Sequence, residues 1–252
     1  MTDEEIADGL VALARSGRPN TPKRLRSFVG AHQYLRLYRM FRRYVPASAR
    51  VLDWGAGSGH FSYFLARAGY RASGFSFGPY KFAAWLDDPA YEFTGGSPAE
   101  PTRLPYADAS FDAVSSIGVL EHVRETGGNE AGTLAEIARI LKPGGHFVCY
   151  HFPNRLSWID FAAGVVGGRH RHVYRFTRSE VEALVRGAGL ELLELERYGV
   201  LPRNSLQALP APLAKSRAFA RAWDGVDAAL AVPLGPICQN WAFVARKQGA
   251  RA

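Results

Sequence analysis

From Val51 onward, short strand-like stretches rich in apolar residues alternate with stretches whose apolar positions recur at helical spacing. Val51-Leu52-Asp53 reads as the end of a strand and His60 to Ala68 as a helix. A second strand over Arg71 to Ser76 precedes a helix from Pro79 to Leu86, and Tyr91 to Thr94 is a short strand. Phe111 to Ile117 reads as a buried strand, followed by a helix around Gly132 to Leu141. The turn Lys142-Pro143-Gly144-Gly145 leads into a strand over His146 to His151. Thr177 and Glu180 are spaced as a capping box for a helix that closes at Gly187 and Gly189. Leu190 to Tyr198 and Asn240 to Arg246 are two further strands. Strands alternating with helices predict an α/β fold, a mostly parallel sheet with helices on both faces.

The first 48 residues follow a different pattern. Thr2 and Glu5 form a capping box for a helix ending at Arg15, which Gly17, Pro19 and Asn20 break. Thr21-Pro22 reads as an N-cap with proline at the first helical position, and the spacing predicts one helix onward to Tyr44. Tyr34, Tyr38, Phe41 and Val45 fall on one side of it; Arg36, Arg39 and Arg43 fall on another. The expected division is therefore a basic helical arm over 1–48 and an α/β domain over 49–252. Within the domain, 201–236 forms an irregular or helical insertion before the last strand.

Charge sharpens this division. Val11 to Arg50 holds ten basic residues and no acidic one, so this window carries +10 of a net +8 and the rest of the chain carries −2. No apolar run approaches the roughly 20 residues that span a bilayer. The acidic start, Met1-Thr2-Asp3-Glu4-Glu5, lacks the plan of a signal peptide. The expectation is a cytoplasmic protein. Cys149 and Cys238 are far apart in sequence and predict neither a disulfide framework nor a metal site.

The segment VLDWGAGSGHF, Val51 to Phe61, carries the chemistry. A glycine-rich turn after the first strand is where open α/β sheets bind ligands. A dinucleotide fingerprint requires G-x-G-x-x-G, but here Gly55, Gly57 and Gly59 are spaced G-x-G-x-G and His60 stands where the third glycine is needed. The Gly-Lys-Ser/Thr of a phosphate loop is absent. The stretch instead resembles motif I of the class I S-adenosylmethionine-dependent methyltransferases. LPYADASFDAVSSIGVLEHV (Leu104 to Val123), ILKPGGHFVCY (Ile140 to Tyr150) and TRSEVEALVRGAGLELLEL (Thr177 to Leu195) resemble later segments of that family, in the same order.

The resemblance implies a Rossmann-like seven-stranded sheet with its last strand antiparallel. It also implies S-adenosyl-L-methionine as cofactor, lying across the strand ends, with S-adenosyl-L-homocysteine as product. The cofactor-binding candidates are Asp53, Trp54, Gly55, Gly57, Ser76, Phe77, Glu100, Ile117 and His122. Bare backbone at Gly55 and Gly57 lets the methionine part lie close, and Asp53 supplies negative charge near its cationic groups. Ser76 departs from the family, which places an acidic residue at the end of the second strand to hold the ribose.

Methyl transfer depends mainly on positioning, and a base is needed only when the acceptor must lose a proton. His151, at the end of the fifth strand, is the candidate catalytic base. Tyr34, Tyr38, Arg39, Arg43, Asn154 and Arg171 are the substrate-binding candidates, the arginines as a clamp for an anionic group. No metal is expected, because His170 and His172 lack a third ligand at a fitting sequence spacing. The expected function is methylation of a small-molecule acceptor, at a hydroxyl oxygen of an anionic natural-product, glycan or lipid-linked precursor. The alternatives are an RNA methyltransferase, suggested by the basic charge, and a methyltransferase-fold protein that catalyses another reaction. No DNA partner is expected; peripheral membrane contact and a monomer or homodimer stay open.

Overall fold

A computed structural model describes residues 1–249 except 83, 84, 87, 98, 166–171 and 204–208. The N-terminal arm folds as α1 (Asp3–Arg15), a 3-10 turn (Lys23–Arg26), α2 (Phe28–His32) and α3 (Leu35–Tyr44). The Thr2 capping box is present: Glu5 N–H donates to Thr2 Oγ1 at 3.2 Å and Thr2 N–H to Glu5 Oε2 at 2.8 Å. The single helix expected from Thr21 to Tyr44 is replaced by three pieces. Ser27 starts a new helix by accepting from Gly30 N–H at 3.0 Å, and the chain turns again at Gln33-Tyr34 before α3. A hydroxyl that caps mid-run competes with helix continuation.

The α/β body contains β1 (Arg50–Trp54), α4 (His60–Arg67), β2 (Arg71–Ser76), β3 (Glu92–Gly95), β4 (Phe111–Ile117), α5 (Glu130–Ile140) and β5 (Leu141–Pro153). There follow α6 (Trp158–Val165), α7 (Arg178–Gly187), β6 (Leu190–Tyr198), α8 (Ala211–Ala214), α9 (Arg217–Leu234) and β7 (Asn240–Lys247). The strand order is β3-β2-β1-β4-β5-β7-β6. Every pairing is parallel except those of β7, which runs antiparallel to β5 and β6. The helix expected over Pro79 to Leu86 is not formed by the described residues, where Trp85 and Leu86 N–H both turn back onto Phe82 O. The expected 142–145 turn lies inside β5 as an irregularity of its pairing with β4.

Period-2 alternation divides the strand side chains between two cores. Val51, Ala72, Ala113 and Val148 face the arm and α4, while Leu52, Phe75, Val114 and Phe147 face α5 and α7. The arm docks through its apolar side. Tyr38 stacks on Phe64 with ring centroids 4.0 Å apart, and Phe41 meets the rings of Phe61 and Tyr70 edge-on at 5.3 Å. Its basic side is largely neutralised: Arg36 pairs with Glu196, Arg42 with Asp3 and Arg43 with Glu194. The insertion over 201–236 is mainly the long helix α9, which packs on α2. Among the described residues no helix is long and apolar enough to cross a membrane.

Candidate active site

The carboxyl ends of β1, β2 and β4 meet at the glycine turn. Gly55, Gly57 and Gly59 all adopt positive φ, of 78°, 51° and 72°. Two of these glycines have different reasons. A Cβ on Gly59 would run into the Phe82 ring, so this residue is required by packing. A Cβ on Gly57 would meet only Gly55 O, at 3.5 Å, so the space above this residue is open. A Cβ on Gly55 would collide with the Val119 side chain, so the bare backbone expected at Gly55 is covered; the turn combines two glycines required by packing with one, Gly57, that leaves backbone bare to an incoming group.

Asp53 sits beneath the turn, buried. Its Oδ2 accepts the Ser62 hydroxyl at 2.6 Å, and Ser62 in turn meets the Tyr91 hydroxyl at 2.7 Å. Burial pushes the Asp53 carboxyl up to about 6, against the opposing pull of the Ser62 and Ser115 hydroxyls. Trp54 is buried in the core on the opposite side of the sheet. Ser76 ends β2 with its Oγ accepting Gly78 N–H at 3.1 Å, and Phe77 packs edge-on against Phe75. Glu100 is exposed, 3.8 Å from Arg103.

A cavity of about 640 Å³ opens beside these strand ends. Its walls come from the arm, from the ends of β4, β5 and β6, and from α9. Of the residues expected from sequence, it brings together Tyr34, Arg39, Ile117, His122 and His151. Tyr34 lies between His60 and His151, with centroid distances of 4.6 and 5.6 Å. Several expected residues are elsewhere. Tyr38 is fully buried in the arm interface. Arg43 is held by Glu194 at 3.0 Å outside the cavity. Asn154 is buried and donates to Pro236 O and Cys238 O at 2.9 and 2.8 Å, joining β5 to the approach of β7. Arg171 and His170 lie outside the described residues.

β5 runs on to Pro153, past the end expected at His151; His151 sits within it, where the pairing with β7 shifts register between Cys149 and Phe152, at a φ of 66°, a left-handed conformation that a non-glycine residue adopts only where its surroundings hold it. Tyr198 supplies that hold: its hydroxyl accepts His151 N–H at 2.8 Å and lies 2.9 Å from Nδ1. Burial first, and then the nearby Arg24 and Arg203 charges, lower the imidazole to about 3, so the ring is neutral at physiological pH. Sequence reasoning missed His60, Glu121 and Arg24, all of which line the cavity. His60 is buried, and its Nε2 has no hydrogen-bond partner among the described residues. Arg24 and Arg39 face the cavity with no carboxylate partner among the described residues, whereas Arg203 is held by Asp224 and Asp227. Glu121 had a usable signal, being a charge set directly after the apolar Val119-Leu120 that follow a buried strand.

This sheet order, glycine turn and strand-end cavity define a Rossmann-like methyltransferase fold. The chain belongs to the methyltransferase-domain family, whose model matches residues 24–195. It is 32% identical over 189 residues to a demethylmenaquinone methyltransferase of Deinococcus radiodurans, covering 69% of each chain. It is 30% identical over 190 residues to a ubiquinone biosynthesis O-methyltransferase of Aromatoleum aromaticum, covering 69% of this chain and 78% of that one. The match to the demethylmenaquinone methyltransferase of Tropheryma whipplei strain Twist is 32% over 114 residues and spans only 44% of that protein's length. Among solved structures, the Burkholderia thailandensis 1,6-didemethyltoxoflavin-N1-methyltransferase superposes with a TM-score of 0.55 at 20% identity, covering 84% of this chain and 76% of that one. The [4+2]-cyclase SpnF superposes with a TM-score of 0.55 at 20% identity, covering 85% and 81%.

Proposed function

We propose that this protein is an S-adenosylmethionine-dependent methyltransferase acting on a hydroxyl oxygen of a small anionic acceptor, such as a natural-product, glycan or lipid-linked precursor. The observation that carries this reading is the bare, left-handed backbone at Gly57, with open space above it, beside a cavity large enough for a small acceptor. The residues present fit the cofactor. Gly57 offers room for its methionine part, whereas the space over Gly55 is filled by the Val119 side chain; the Ser76 hydroxyl at the end of β2 is the candidate ribose contact, and Ile117 gives an apolar wall at the end of β4. Bound there, S-adenosylmethionine would supply an electrophilic sulfonium methyl.

The chain's own residues then position the acceptor. The Tyr34 ring forms one wall between His60 and His151. Arg24 and Arg39 face an anionic group, and two guanidinium forks suit phosphate or carboxylate oxygens. His151 presents a neutral imidazole. For its Nε2 to accept the acceptor proton, Nδ1–H must donate to the Tyr198 oxygen, which is 2.9 Å away. Because this imidazole is so weakly basic, positioning contributes more than proton abstraction.

Kinship with quinone methyltransferases supports small-molecule methylation. The cyclase neighbour shows that the fold alone does not determine the reaction. Calorimetric titration with S-adenosylmethionine and S-adenosylhomocysteine tests the proposal. Micromolar binding that Gly57→Val abolishes is the expected result. Absence of binding to either ligand overturns it.

A further inference from the structure

Glu121, His122 and His172 stand together on the cavity wall, and one ligand atom from each lies within 4.8 Å of the other two. Glu121 and His122 come from the 3-10 turn Leu120–Thr126 after β4, and His172 comes from the segment following α6. The Glu121 side chain is only 3% exposed, and its Oε2 has no hydrogen-bond partner among the described residues. Leaving such a group buried and unsatisfied is unfavourable.

Both imidazoles are already oriented as ligands. His122 Nδ1 is 2.7 Å from Glu125 Oε1. A carboxylate only accepts, so Nδ1 carries the proton and the neutral ring's lone pair is on Nε2. That Nε2 is 3.8 Å from Glu121 Oε1, too far for a hydrogen bond, so two lone-pair atoms face each other across a gap. His172 repeats the arrangement. Its Nδ1 is 3.0 Å from Oδ1 of buried Asp160, which also accepts the His172 backbone N–H at 3.1 Å. A carboxylate behind each imidazole is the support that metal-bound histidines have.

We propose that Glu121, His122 and His172 bind a divalent transition-metal cation such as Zn2+ or Mn2+, with Asp160 and Glu125 orienting the two imidazoles. Two imidazoles and one carboxylate suit these ions better than Ca2+ or Mg2+, which take oxygen ligands. Bonds of about 2.0–2.2 Å require the three side chains to close by roughly an ångström. Three protein ligands leave positions open toward the cavity. An acceptor hydroxyl taking one of them would be held and acidified, its proton leaving to solvent. Such a site answers the weakness of His151 as a base.

The test is titration of the chelator-treated, full-length protein with Co2+, followed by its visible d–d absorption, and equilibrium dialysis with Zn2+. One cation per chain is expected. Binding should be lost in Glu121→Gln and His172→Ala, and weakened about 10–100-fold in Asp160→Asn. Thermal unfolding in the presence of chelator checks that each variant is folded. No stoichiometric binding by the wild type, or equal binding by the wild type and folded Glu121→Gln and His172→Ala, overturns the inference. The titration needs no cofactor, so its outcome is separate from that of the methyltransferase proposal: cation binding without S-adenosylhomocysteine binding would retain the site and reject that reading.

Discussion

Asp53→Asn separates what the buried carboxylate does for folding from what it does at the site. The carboxyl rises from its ordinary 3.8 to about 6, because burial disfavours its charged form. At about 1.4 kcal/mol per tenfold change in proton affinity, this corresponds to about 3 kcal/mol. The sign follows from proton binding. Between these two values the native state holds more protons than the unfolded chain, so this group makes stability fall as pH rises. The loss begins near pH 4, is about half complete at pH 5 and saturates above pH 7. An asparagine fits the same contacts. Its Oδ1 can accept from Ser62, and its Nδ2 can donate to Ser115 Oγ, whose own proton already points to Leu52 O at 3.3 Å.

The variant is therefore more stable at pH 8 by about 3 kcal/mol, or about 6–12 °C in Tm for a chain of this size, and by about half that at pH 5. Thermal unfolding of both proteins from pH 5 to pH 8 measures the difference. A Tm difference that does not grow with pH would refute the buried-charge account. The same variant should bind S-adenosylmethionine more weakly, as expected if a charge that destabilises the fold is kept for a ligand.

Other predictions concern individual contacts. Gly57→Ala should lower stability by only about 1–2 kcal/mol, the strain of its left-handed backbone, yet remove S-adenosylhomocysteine binding by calorimetry. Gly59→Ala adds a collision with the Phe82 ring and should lower Tm further. Arg39→Glu should raise acceptor KM at least tenfold and leave cofactor binding alone, while Arg43→Glu, at an exposed ion pair outside the cavity, should change KM little. Equal effects of the two would remove the anion clamp. His151 should contribute no ionisation to kcat/KM between pH 5 and 8, since it is neutral throughout that range. Tyr198→Phe should lower kcat more than it changes KM, by releasing the His151 ring.

The sheet was legible because its signals are local. A capping box such as Thr177–Glu180 and a buried run such as Phe111 to Ile117 depend on neighbours within one turn or one strand. The glycine turn was legible for the same reason. The arm was less so. Tyr38 and Phe41 of its aromatic stripe pack on α4 and do not line the cavity, and the Ser27 cap and the turn at Gln33-Tyr34 divide the helix that periodicity alone would continue. Among its arginines, periodicity placed Arg36, Arg39 and Arg43 together, whereas Glu196 and Glu194 on distant β6 take up the first and third.

The cavity's chemistry depended most on tertiary structure. Tyr198 holds His151 from 47 residues away. Arg24 and Arg39 reach the cavity while Arg43 does not. His172 has no third ligand in its own segment, yet folding brings it to Glu121 and His122. The sequence by itself determined the order of the seven strands and the glycine turn, because strand periodicity and turn chemistry act over a few residues. Only the tertiary structure decided which charges remain unpaired and which side chains share the cavity, because the partners of a buried polar group are set by the packing of elements far apart in the chain.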